Sequence, residues 1–400
     1  MVDTDITILG GGCAGLSLAT ALVSRGAPRR SIRIVEPRTT YERDRTWCFW
    51  DVEPHLFEDA VTHRWSRWRI SHGGDTIERG TDRHRYVEVS ADRFYEVCLN
   101  RLDRTPAIEL SLGERMTGVS REGKDFCVDT SAGSYRSRLV FDARAGAALA
   151  EAEAARIRSD RDGRLSQHFV GQFIRTAEPA FDPETVTLMD FDGDASTAVH
   201  FFYVLPYSRT EALVESTYFS PHSLPCEAYE EDIARYLGAR HGVRRFEVTG
   251  SESGRLPMFD VPICPLAPGV IPIGLAAGAC RPSTGYAFLA IQRQAKRLAQ
   301  ALAREGTLSP AAVAETEGIS RPSILRVMDR ILLAAIQRRP TEAPVFFYRL
   351  FESADPAALV RFLMEAPRAS DVAEVIRAMP GLRLLRAMLP EGISRRMAAT

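Results

Sequence analysis

The sequence lacks the charge excess that marks nucleic-acid-binding proteins. Lys and Arg (51 residues) almost balance Asp and Glu (52 residues), which leaves a formal net charge of −1 over 400 residues. A protein that binds the phosphates of nucleic acid usually presents a clearly basic face. The balance of basic and acidic residues therefore makes nucleic acid a poor candidate partner.

Paired cysteines are missing as well. The chain has seven cysteines, an odd number, and no two of them are spaced as Cys-x-x-Cys. That spacing is typical of zinc sites, and an even, regularly spaced set is typical of disulfide frameworks. The sequence therefore predicts neither a metal site nor a set of disulfides, and it indicates a reducing, cytoplasmic location.

Long apolar runs are also absent. The N-terminus is acidic where a secretory signal would be basic, and Gly10 interrupts its apolar run. No apolar stretch reaches the roughly 20 residues that a membrane-spanning helix needs. We therefore expect any contact with a membrane to involve one face of the protein.

What the sequence does contain, close to its start, is a glycine-rich turn between a strand pattern and a helix pattern. Residues 6–9 are apolar apart from Thr7, and Gly10, Gly12 and Gly15 then form Gly-x-Gly-x-x-Gly before an apolar helical pattern. A second strand pattern, residues 32–35, is apolar apart from Arg33 and ends in Glu36. In dinucleotide-binding folds these glycines let a pyrophosphate approach the helix N-terminus, and an acid about twenty residues later binds a ribose hydroxyl. The pattern predicts a Rossmann-type domain.

The rest of the chain bears on which dinucleotide is bound. Residues 125–130 and 135–141 have the pattern of a hairpin that runs into Asp142. Far downstream, the apolar residues 270–273 enter a second glycine-rich junction with Gly274 and Gly278. Residues 283–286 then open a helix with one apolar stripe. Flavoproteins of this fold hold the ribityl chain and the pyrophosphate at such a second junction, so the sequence favours FAD over NAD.

Between these regions the pattern becomes extended. Residues 169–174, 186–192, 201–205 and 212–219 have strand patterns. They predict a mostly antiparallel β-sheet inserted into the FAD-binding fold. We expect an α/β protein of the glutathione-reductase and p-hydroxybenzoate-hydroxylase type, with an FAD-binding domain (residues 1–165 and 255–305), a substrate-binding sheet domain (166–254) and a C-terminal helical region (306–400).

Two acids lie inside these apolar strand patterns. Glu215 shares its predicted face with Leu213 and Phe219, and Asp190 is predicted to face the same way as Leu188. Burial disfavours an ionised carboxylate and raises its pKa, which suits a general acid that works near neutral pH. The alternative interpretation is that each acid lies at the rim and pairs with an arginine.

A set of short motifs follows a recognisable order along the chain. They are Arg-Thr-Trp-Cys-Phe-Trp (45–50), Leu-Met-Asp-Phe (188–191), Tyr-Val-Leu-Pro (203–206), Leu-Val-Glu-Ser-Thr (213–217), Gly-Arg-Leu-Pro-Met (254–258), Ser-Thr-Gly-Tyr (283–286) and Leu-Val-Arg-Phe-Leu (359–363). Each motif is short, but the ordered set covers almost the whole chain and resembles the bacterial lycopene β-cyclases.

The resemblance implies a specific activity. Members of that family bind FAD and need it reduced by NAD(P)H, yet they catalyse no net redox change. They close each acyclic end of lycopene into a β-ionone ring, giving γ-carotene and then β-carotene. An acid protonates the terminal double bond, the tertiary cation closes the ring, and a proton leaves. The resemblance implies Glu215 as the proton donor and Asp190 as a supporting or positioning carboxylate.

The expected binding residues fall into two groups. The glycine patterns and the resemblance together place FAD against Gly10, Gly12, Cys13, Ala14, Gly15, Glu36, Pro37, Arg45, Thr46, Trp47, Val119, Asp142, Gly274, Gly278, Ser283, Thr284, Gly285 and Tyr286. The aromatic residues that we expect to line a substrate tunnel, and to stabilise a cation through their ring faces, are Trp47, Phe49, Phe201, Phe202, Tyr203 and Phe219. Core packing is the alternative role for each of these aromatic residues.

Other activities of the same fold stay open. FAD-dependent hydroxylases usually carry Gly-Asp at the second glycine region, whereas Gly274 is followed here by Leu275. The cyclases also tend to lack that acid, so its absence agrees with the resemblance. The alternatives are an FAD-dependent monooxygenase or prenyl reductase that acts on a lipid, and a prenyl-binding carrier without the cofactor.

The pattern of the C-terminal part predicts helices separated by prolines. The helical patterns cover residues 324–338, 343–351, 356–364 and 371–379, and the end of the chain is basic at Arg377, Arg383, Arg386, Arg395 and Arg396. Apolar stripes with arginines between them suit either a helical cap with a solvated face or a surface that rests on lipid. An insoluble carotenoid substrate favours the second interpretation, which would place the protein at the inner face of the cell membrane.

Overall fold

A computed structural model describes residues 3–25, 30–144, 165–191, 198–304, 319, 321–381 and 383–384. Its strands are β1 (Thr4–Leu9), β2 (Ile32–Glu36), β3 (Thr46–Trp50), β4 (Val61–Trp65), β5 (Arg67–His72), β6 (Asp75–Gly80), β7 (Tyr86–Ser90), β8 (Ile108–Leu112), β9 (Met116–Glu122), β10 (Asp125–Thr130), β11 (Gly133–Asp142), β12 (Ser166–Arg175), β13 (Thr185–Asp190), β14 (Val199–Pro206), β15 (Glu211–Ser220), β16 (Glu247–Pro257) and β17 (Ile271–Pro272). Its helices are α1 (Cys13–Val23), α2 (Ala91–Leu102), α3 (Cys226–His241), α4 (Phe288–Arg304), α5 (Ser323–Arg338), α6 (Ala343–Ser353), α7 (Pro356–Leu363) and α8 (Ala369–Ala378). The tail residues Arg386, Arg395 and Arg396 lie outside the described residues.

The first sheet has the predicted Rossmann-type arrangement. Its strand order is β8-β2-β1-β11-β10-β9, with β17 beside β11. β1 pairs in parallel with β2 and with β11, and β17 returns in parallel to β11. Apolar side chains of β1 are buried on both faces, Ile8 on one side and Leu9 on the other. Burial on both faces explains why Ile8 and Leu9, at consecutive positions of the strand, are both apolar. The predicted α/β fold class is confirmed.

The predicted hairpin is present, with a shorter turn than expected. β10 and β11 pair antiparallel as far as Thr130 and Gly133, so only Ser131 and Ala132 form the turn instead of residues 131–134. Gly133 has a φ of +139°, a conformation that favours glycine. β11 then ends at Asp142, as predicted.

The second sheet supplies the wall of the site described below. Its order is β16-β12-β15-β14-β13-β5-β6, and its pairs are antiparallel except for β13 with β5. The mostly antiparallel sheet was expected, but β5 and β6 come from residues 67–80, within the predicted FAD-binding segment. Two separate stretches of chain therefore build this sheet. The division of the chain into domains stays a prediction.

Two layers of apolar side chains cover the two faces of the second sheet. Helix α3 packs on the outer face through a stripe that includes Ile233 and Leu237, against Phe202 and Val214. The inner face carries Phe201, Leu213 and Phe219, which belong to the main core of the protein. Because side chains alternate along a strand, neighbouring residues of β14 and β15 serve different layers. The third sheet, β3-β7-β4, is antiparallel.

The C-terminal region is helical, with bounds close to those predicted. Helix α7 begins with Pro356 after Asp355, whose carboxylate accepts a hydrogen bond from the Ala358 N–H (2.8 Å). Such a capped proline start is a common helix N-terminus. Among the described residues, no helix combines the length and the apolar character that crossing a bilayer would require.

Candidate active site

A cavity of about 1130 Å³ runs between the first glycine turn, the inner face of the second sheet and the C-terminal helices. Its lining near the glycine turn includes Gly12, Cys13 and Ala14, and its lining on the sheet includes Glu215 and Phe219. Most of the lining surface is apolar. A cavity of this size exceeds a typical pocket for a small ligand, which occupies roughly 300–1,000 Å³.

The first glycine turn has the geometry that the sequence predicts. Gly10 adopts a φ of +100°, and helix α1 begins directly after Gly12 without a side-chain cap. A Cβ atom on Gly15 would overlap the carbonyl oxygen of Gly10. The helix can therefore pack against the turn only with glycine at position 15. Its N-terminus faces the cavity, where its N–H groups can receive a phosphate.

Glu36 is buried at the end of β2, directly beside this turn. Its carboxylate accepts hydrogen bonds from the Gly11 N–H (2.6 Å) and from the backbone N–H and Nε of Arg38 (both 2.9 Å). Burial acts to raise the pKa of Glu36, but the hydrogen bonds and charge of Arg38 hold it below its ordinary value. The group is therefore ionised and accepts hydrogen bonds from the turn and from Arg38. Arg38 itself lines the cavity.

The second glycine region meets the first. Gly274 has a φ of +64°, and a Cβ atom at this position would overlap the Cβ of Ala14 in helix α1. Its N–H donates to the Gln294 side-chain oxygen in α4 (2.8 Å). Residues 283–286 line the cavity next to this junction. They were predicted to open the helix, but they form a turn in which the Gly285 N–H donates to the Arg281 carbonyl (2.8 Å), and α4 begins at Phe288.

The predicted FAD residues separate into those that line the cavity and those that do not. Lining residues are Gly12, Cys13, Ala14, Arg45, Thr46, Trp47, Ser283, Thr284, Gly285 and Tyr286. The structure does not place Gly10, Gly15, Glu36, Pro37, Val119, Asp142, Gly274 and Gly278 in the lining. Asp142 instead forms a bidentate ion pair with Arg144 (2.8 and 3.0 Å). Val119 lies opposite Val128 where β9 pairs with β10.

Glu215 occupies the position that the sequence predicts. It lies on the inner face of β15, lines the cavity and is only 8% exposed. Burial raises the pKa of its carboxyl well above the ordinary value, and the nearby charge of Glu252 raises it further. A carboxyl group with these surroundings keeps its proton near neutral pH. It can therefore act as a general acid toward a group in the cavity.

Glu252 is a site residue that the sequence analysis missed. It lies on β16, is buried, and accepts a hydrogen bond from the Thr46 hydroxyl (2.7 Å). Residues 247–253 show little apolar alternation, so nothing local predicts burial. Its position close to the Gly-Arg-Leu-Pro-Met motif is the only signal that could have drawn attention to it.

Asp190 does not face the cavity, and the expectation that it faces the same way as Leu188 is wrong. The register of β13 with β5 shifts between Thr187 and Met189, and this irregularity breaks the alternation of side chains. Asp190 accepts hydrogen bonds from the Tyr236 hydroxyl (3.1 Å) and the Arg240 Nε (3.0 Å), both on helix α3. The pairing with an arginine, which was the alternative interpretation, is what the structure shows.

The predicted tunnel aromatics also divide between two roles. Trp47, Phe201, Tyr203 and Phe219 line the cavity. Phe49 does not line it and stacks on Phe288 in the core (ring centroids 4.8 Å apart). Phe202 faces the other way and stacks on Tyr236 (4.0 Å). For Phe49 and Phe202, core packing is the observed role.

A cluster of tyrosine hydroxyls in the cavity wall was not foreseen. The Tyr86 hydroxyl lies 2.9 Å from that of Tyr203 and 3.4 Å from that of Tyr286. All three residues line the cavity, and they come from β7, β14 and the turn before α4. Such a cluster supplies polar atoms within walls that are otherwise mostly apolar.

A buried ion pair joins the turn before α4 to the C-terminal helices. Arg281 is 1% exposed and donates from Nη2 to the carboxylate of Asp329 on α5 (2.8 Å) and from Nη1 to the Phe362 carbonyl (2.7 Å). The Ser283 hydroxyl donates to the same Asp329 carboxylate (2.7 Å). These contacts fix the position of residues 281–286 against the helical cap.

One group of possible metal ligands occurs within the described part of the chain. Ligand atoms of Asp51, His55 and Glu58 lie within 4.8 Å of one another. None of the three lines the cavity, and Glu58 is exposed and paired with Arg64. This group is separate from the site.

The strand-turn-helix unit at the first glycine turn and the parallel strands of the first sheet define a dinucleotide-binding α/β fold, and known structures have the same fold. A geranylgeranyl bacteriochlorophyll reductase-like protein from Thermoplasma acidophilum aligns over 96% of this chain and 98% of its own, with a TM-score of 0.65 and 14% identity. A flavin-dependent brominase aligns over 94% of this chain and 98% of its own, with a TM-score of 0.61 and 15% identity. At these identities the likeness concerns the fold.

The sequence narrows this class to one family. The family model for the lycopene cyclase protein matches residues 5–389, so the chain belongs to that family. A lycopene beta cyclase from Synechococcus elongatus is 27% identical over 312 residues, which cover 75% of this chain and 72% of the relative. The family that the ordered motifs predict is confirmed.

Proposed function

We propose that the protein is a lycopene β-cyclase that closes the acyclic ends of lycopene into β-ionone rings, first to γ-carotene and then to β-carotene. The observation that carries the proposal is the position of Glu215. A buried carboxyl group with a raised pKa faces a mostly apolar cavity, which also borders the first glycine turn. An acid kept protonated beside an apolar ligand is what protonation of a carbon–carbon double bond requires.

The residues around the two glycine regions fit FAD. The N-terminus of α1 would hold the pyrophosphate, Glu36 would bind the ribose, and residues 283–286 would lie next to the flavin. When bound and reduced with NAD(P)H as the reductant, FAD would supply a negative charge that stabilises a carbocation. The chain itself would hold the cofactor and keep water out.

The wall of the cavity suits a cationic intermediate. Trp47, Phe201, Tyr203 and Phe219 line the same cavity as Glu215. Ring faces attract a cation without reacting with it, and a desolvated contact of this kind contributes about 2 kcal/mol. The exclusion of water also prevents capture of the cation as an alcohol.

The deciding experiment incubates the purified, FAD-loaded protein with lycopene under anaerobic conditions and with chemically reduced flavin. We expect cyclised products whose mass equals that of lycopene. A product with two extra hydrogens would instead identify a prenyl reductase of the same fold, and a product with one extra oxygen in a parallel incubation with O2 would identify a monooxygenase. If lycopene were returned unchanged, the proposed activity would be rejected.

The mouth of the cavity supports a further part of the proposal, which is contact with a membrane surface. Ile324, Val327 and Ile376 line the cavity and are 44%, 48% and 55% exposed. Exposed Arg326 and Arg377 stand beside them in the sequence. An apolar rim with basic neighbours is typical of a protein that rests on anionic lipid. We therefore place the protein at the inner face of the cell membrane, where lycopene can enter the cavity from the lipid.

A further inference from the structure

Glu215 and Glu252 stand on two strands that flank the same strand. In the register of the second sheet, Gly171 of β12 lies opposite Glu215 of β15 on one side and opposite Glu252 of β16 on the other. Residues in register across neighbouring strands point to the same face of a sheet. The two carboxyl groups therefore extend over the same position of β12.

Gly171 leaves the space that lets them meet. A Cβ atom at this position would lie 2.9 Å from the Cγ of Glu215 and 3.5 Å from its Oε1. Any side chain larger than hydrogen would push the Glu215 carboxyl away from Glu252. With glycine there, the two carboxyl groups hydrogen-bond to each other above the strand.

The surroundings of the two carboxyl groups differ. Glu252 accepts a hydrogen bond from the Thr46 hydroxyl (2.7 Å), and the charges of Arg43 and Arg45 also favour its ionised form. Burial still raises the pKa of Glu252, but these contacts oppose it. For Glu215, burial and the charge of Glu252 act together to raise the pKa. The proton of the pair therefore belongs on Glu215 and the negative charge on Glu252.

Other ionisable groups face the pair from the neighbouring elements. They are Arg43 and Arg45 before β3, Cys48 in β3, Glu88 in β7 and Tyr203 in β14. Burial raises the pKa of both Cys48 and Tyr203 well above the ordinary values, so both stay neutral. Burial and Glu252 raise the pKa of Glu215, whereas the charges of Arg43 and Arg45 act to lower that of Glu252, which preserves the asymmetry.

We propose that Glu215 and Glu252 share a single proton across Gly171 and work as one acid–base pair, in which Glu252 is the positioning residue that keeps Glu215 protonated. Glu215 lines the cavity and Glu252 does not, so only Glu215 reaches the substrate. Two carboxylates so close together cannot both be ionised without strong repulsion. This inference rests on the proposed cyclase activity and adds Glu252 as the residue that keeps its catalytic acid protonated.

The pair is restored at the end of each ring closure. The O–H bond of Glu215 breaks, and the π electrons of the terminal double bond form a new C–H bond, which leaves a tertiary cation. A second double bond attacks the cation and closes the ring. A C–H bond beside the new cation then breaks, its electrons form the ring double bond, and its proton returns to the Glu215 carboxylate. Repulsion from Glu252 makes that carboxylate a stronger base, and the product is an isomer of the substrate.

The test titrates the protonated carboxyl directly. Infrared difference spectra of the FAD-loaded protein without substrate, with and without Glu215→Gln, isolate the carbonyl band of the Glu215 acid. In Glu252→Gln, which removes the charge but keeps the size, we expect this band to disappear at a pH at least one unit lower than in the wild type. The alkaline limit of the cyclisation rate should move down by the same amount. A titration that does not move would overturn the inference.

Two further variants keep the test sharp. Gly171→Ala retains both carboxyl groups but separates them, so we expect the Glu215 carbonyl band to disappear at a similarly lower pH. This variant replaces Glu252→Gln if the latter does not fold. Glu247→Gln on the exposed part of β16 is the matched control and should leave the titration unchanged. Bound FAD and circular dichroism report folding. If the titration of the band shifts as expected but the wild-type protein does not cyclise lycopene, the inference about the carboxyl pair is supported and the proposed activity is rejected.

Discussion

Glu215 and Asp190 belong to the same sheet, but their carboxyl groups lie on opposite faces of it. Glu215 faces the cavity, whereas Asp190 pairs with Arg240 and Tyr236 under helix α3. The two acids that the resemblance links to the reaction therefore have different surroundings. The role of Asp190 in the reaction stays a prediction, and the geometry favours a contribution through the stability of the sheet.

The contrast gives a direct comparison of two conservative variants. We expect Glu215→Gln to lower the cyclisation rate at least 1,000-fold with little loss of stability, because the amide cannot donate a proton to an alkene. We expect Asp190→Asn to lower the free energy of unfolding by about 2 kcal/mol, because a charged hydrogen-bond partner of Arg240 is lost. Rates are measured with reduced flavin, and stability by urea unfolding. A rate loss in Asp190→Asn as large as that of Glu215→Gln would contradict this assignment.

The first glycine turn allows a prediction about cofactor binding. Gly15→Ala should weaken FAD binding at least 100-fold, because the added methyl group overlaps the Gly10 carbonyl and displaces α1 from the turn. The measurement is the fluorescence of free flavin during titration of the apoprotein. Gly238→Ala in α3 is the control, since a Cβ there meets only the Val243 carbonyl oxygen at 3.9 Å. That variant should bind FAD normally and gain about 0.5–1 kcal/mol in stability.

The features that the sequence predicts are those encoded by nearby residues. The glycine turn, Glu36 and the apolar stripe of α4 depend on spacings within about 25 residues, and the structure has all three. Glu215 could be predicted because its strand alternates regularly. In each case the local pattern determines the environment of the side chain.

The features that the sequence does not predict depend on distant strands. The orientation of Asp190 is set by a register shift against β5, more than 100 residues earlier in the chain. Glu252 is buried only because β16 pairs with β12. The same holds for β5 and β6, whose residues join a sheet built mainly from a later segment. Neither propensity nor periodicity encodes such pairings.

The buried ion pair between Arg281 and Asp329 predicts a large effect on stability. Asp329→Asn should lower the free energy of unfolding by about 3 kcal/mol, because it leaves a buried guanidinium without its counter-ion. FAD binding should weaken as well, since the carboxylate also holds Ser283. The control is Asp260→Asn, which removes an exposed pair with Arg330 and should cost less than about 1 kcal/mol. Equal losses in the two variants would show that the buried pair has no special role.

The raised pKa of Glu88 predicts how the free energy of unfolding depends on pH. It is fully buried in β7, and burial raises its pKa from 4.5 to about 7, although Arg43 opposes the shift. The folded protein therefore binds this proton more tightly than the unfolded chain, so its contribution to stability is complete below pH 4.5 and is lost as the pH rises toward 7. The shift corresponds to about 3 kcal/mol.

The corresponding variant is Glu88→Gln, which cannot ionise. We expect the free energy of unfolding of this variant, relative to that of the wild type, to be up to about 3 kcal/mol higher at pH 8 than at pH 5. Urea unfolding at the two pH values measures this difference, with the exposed Glu96→Gln on α2 for comparison. A difference between Glu88→Gln and the wild type that is the same at both pH values would show that Glu88 is ionised throughout.

The apolar rim of the cavity predicts a dependence on lipid. Ile324, Val327 and Ile376 are exposed where the cavity opens, so their replacement by serine should reduce binding to anionic liposomes at least tenfold. Conversion of lycopene dissolved in those liposomes should fall in proportion, whereas conversion of lycopene in detergent micelles should change little, because the acid site is intact. Val248→Ser is the matched control, since Val248 is 45% exposed but does not line the cavity. If the triple variant floats with liposomes as the wild type does, the rim is not the membrane contact. If the wild type itself does not float, membrane-surface contact must be abandoned.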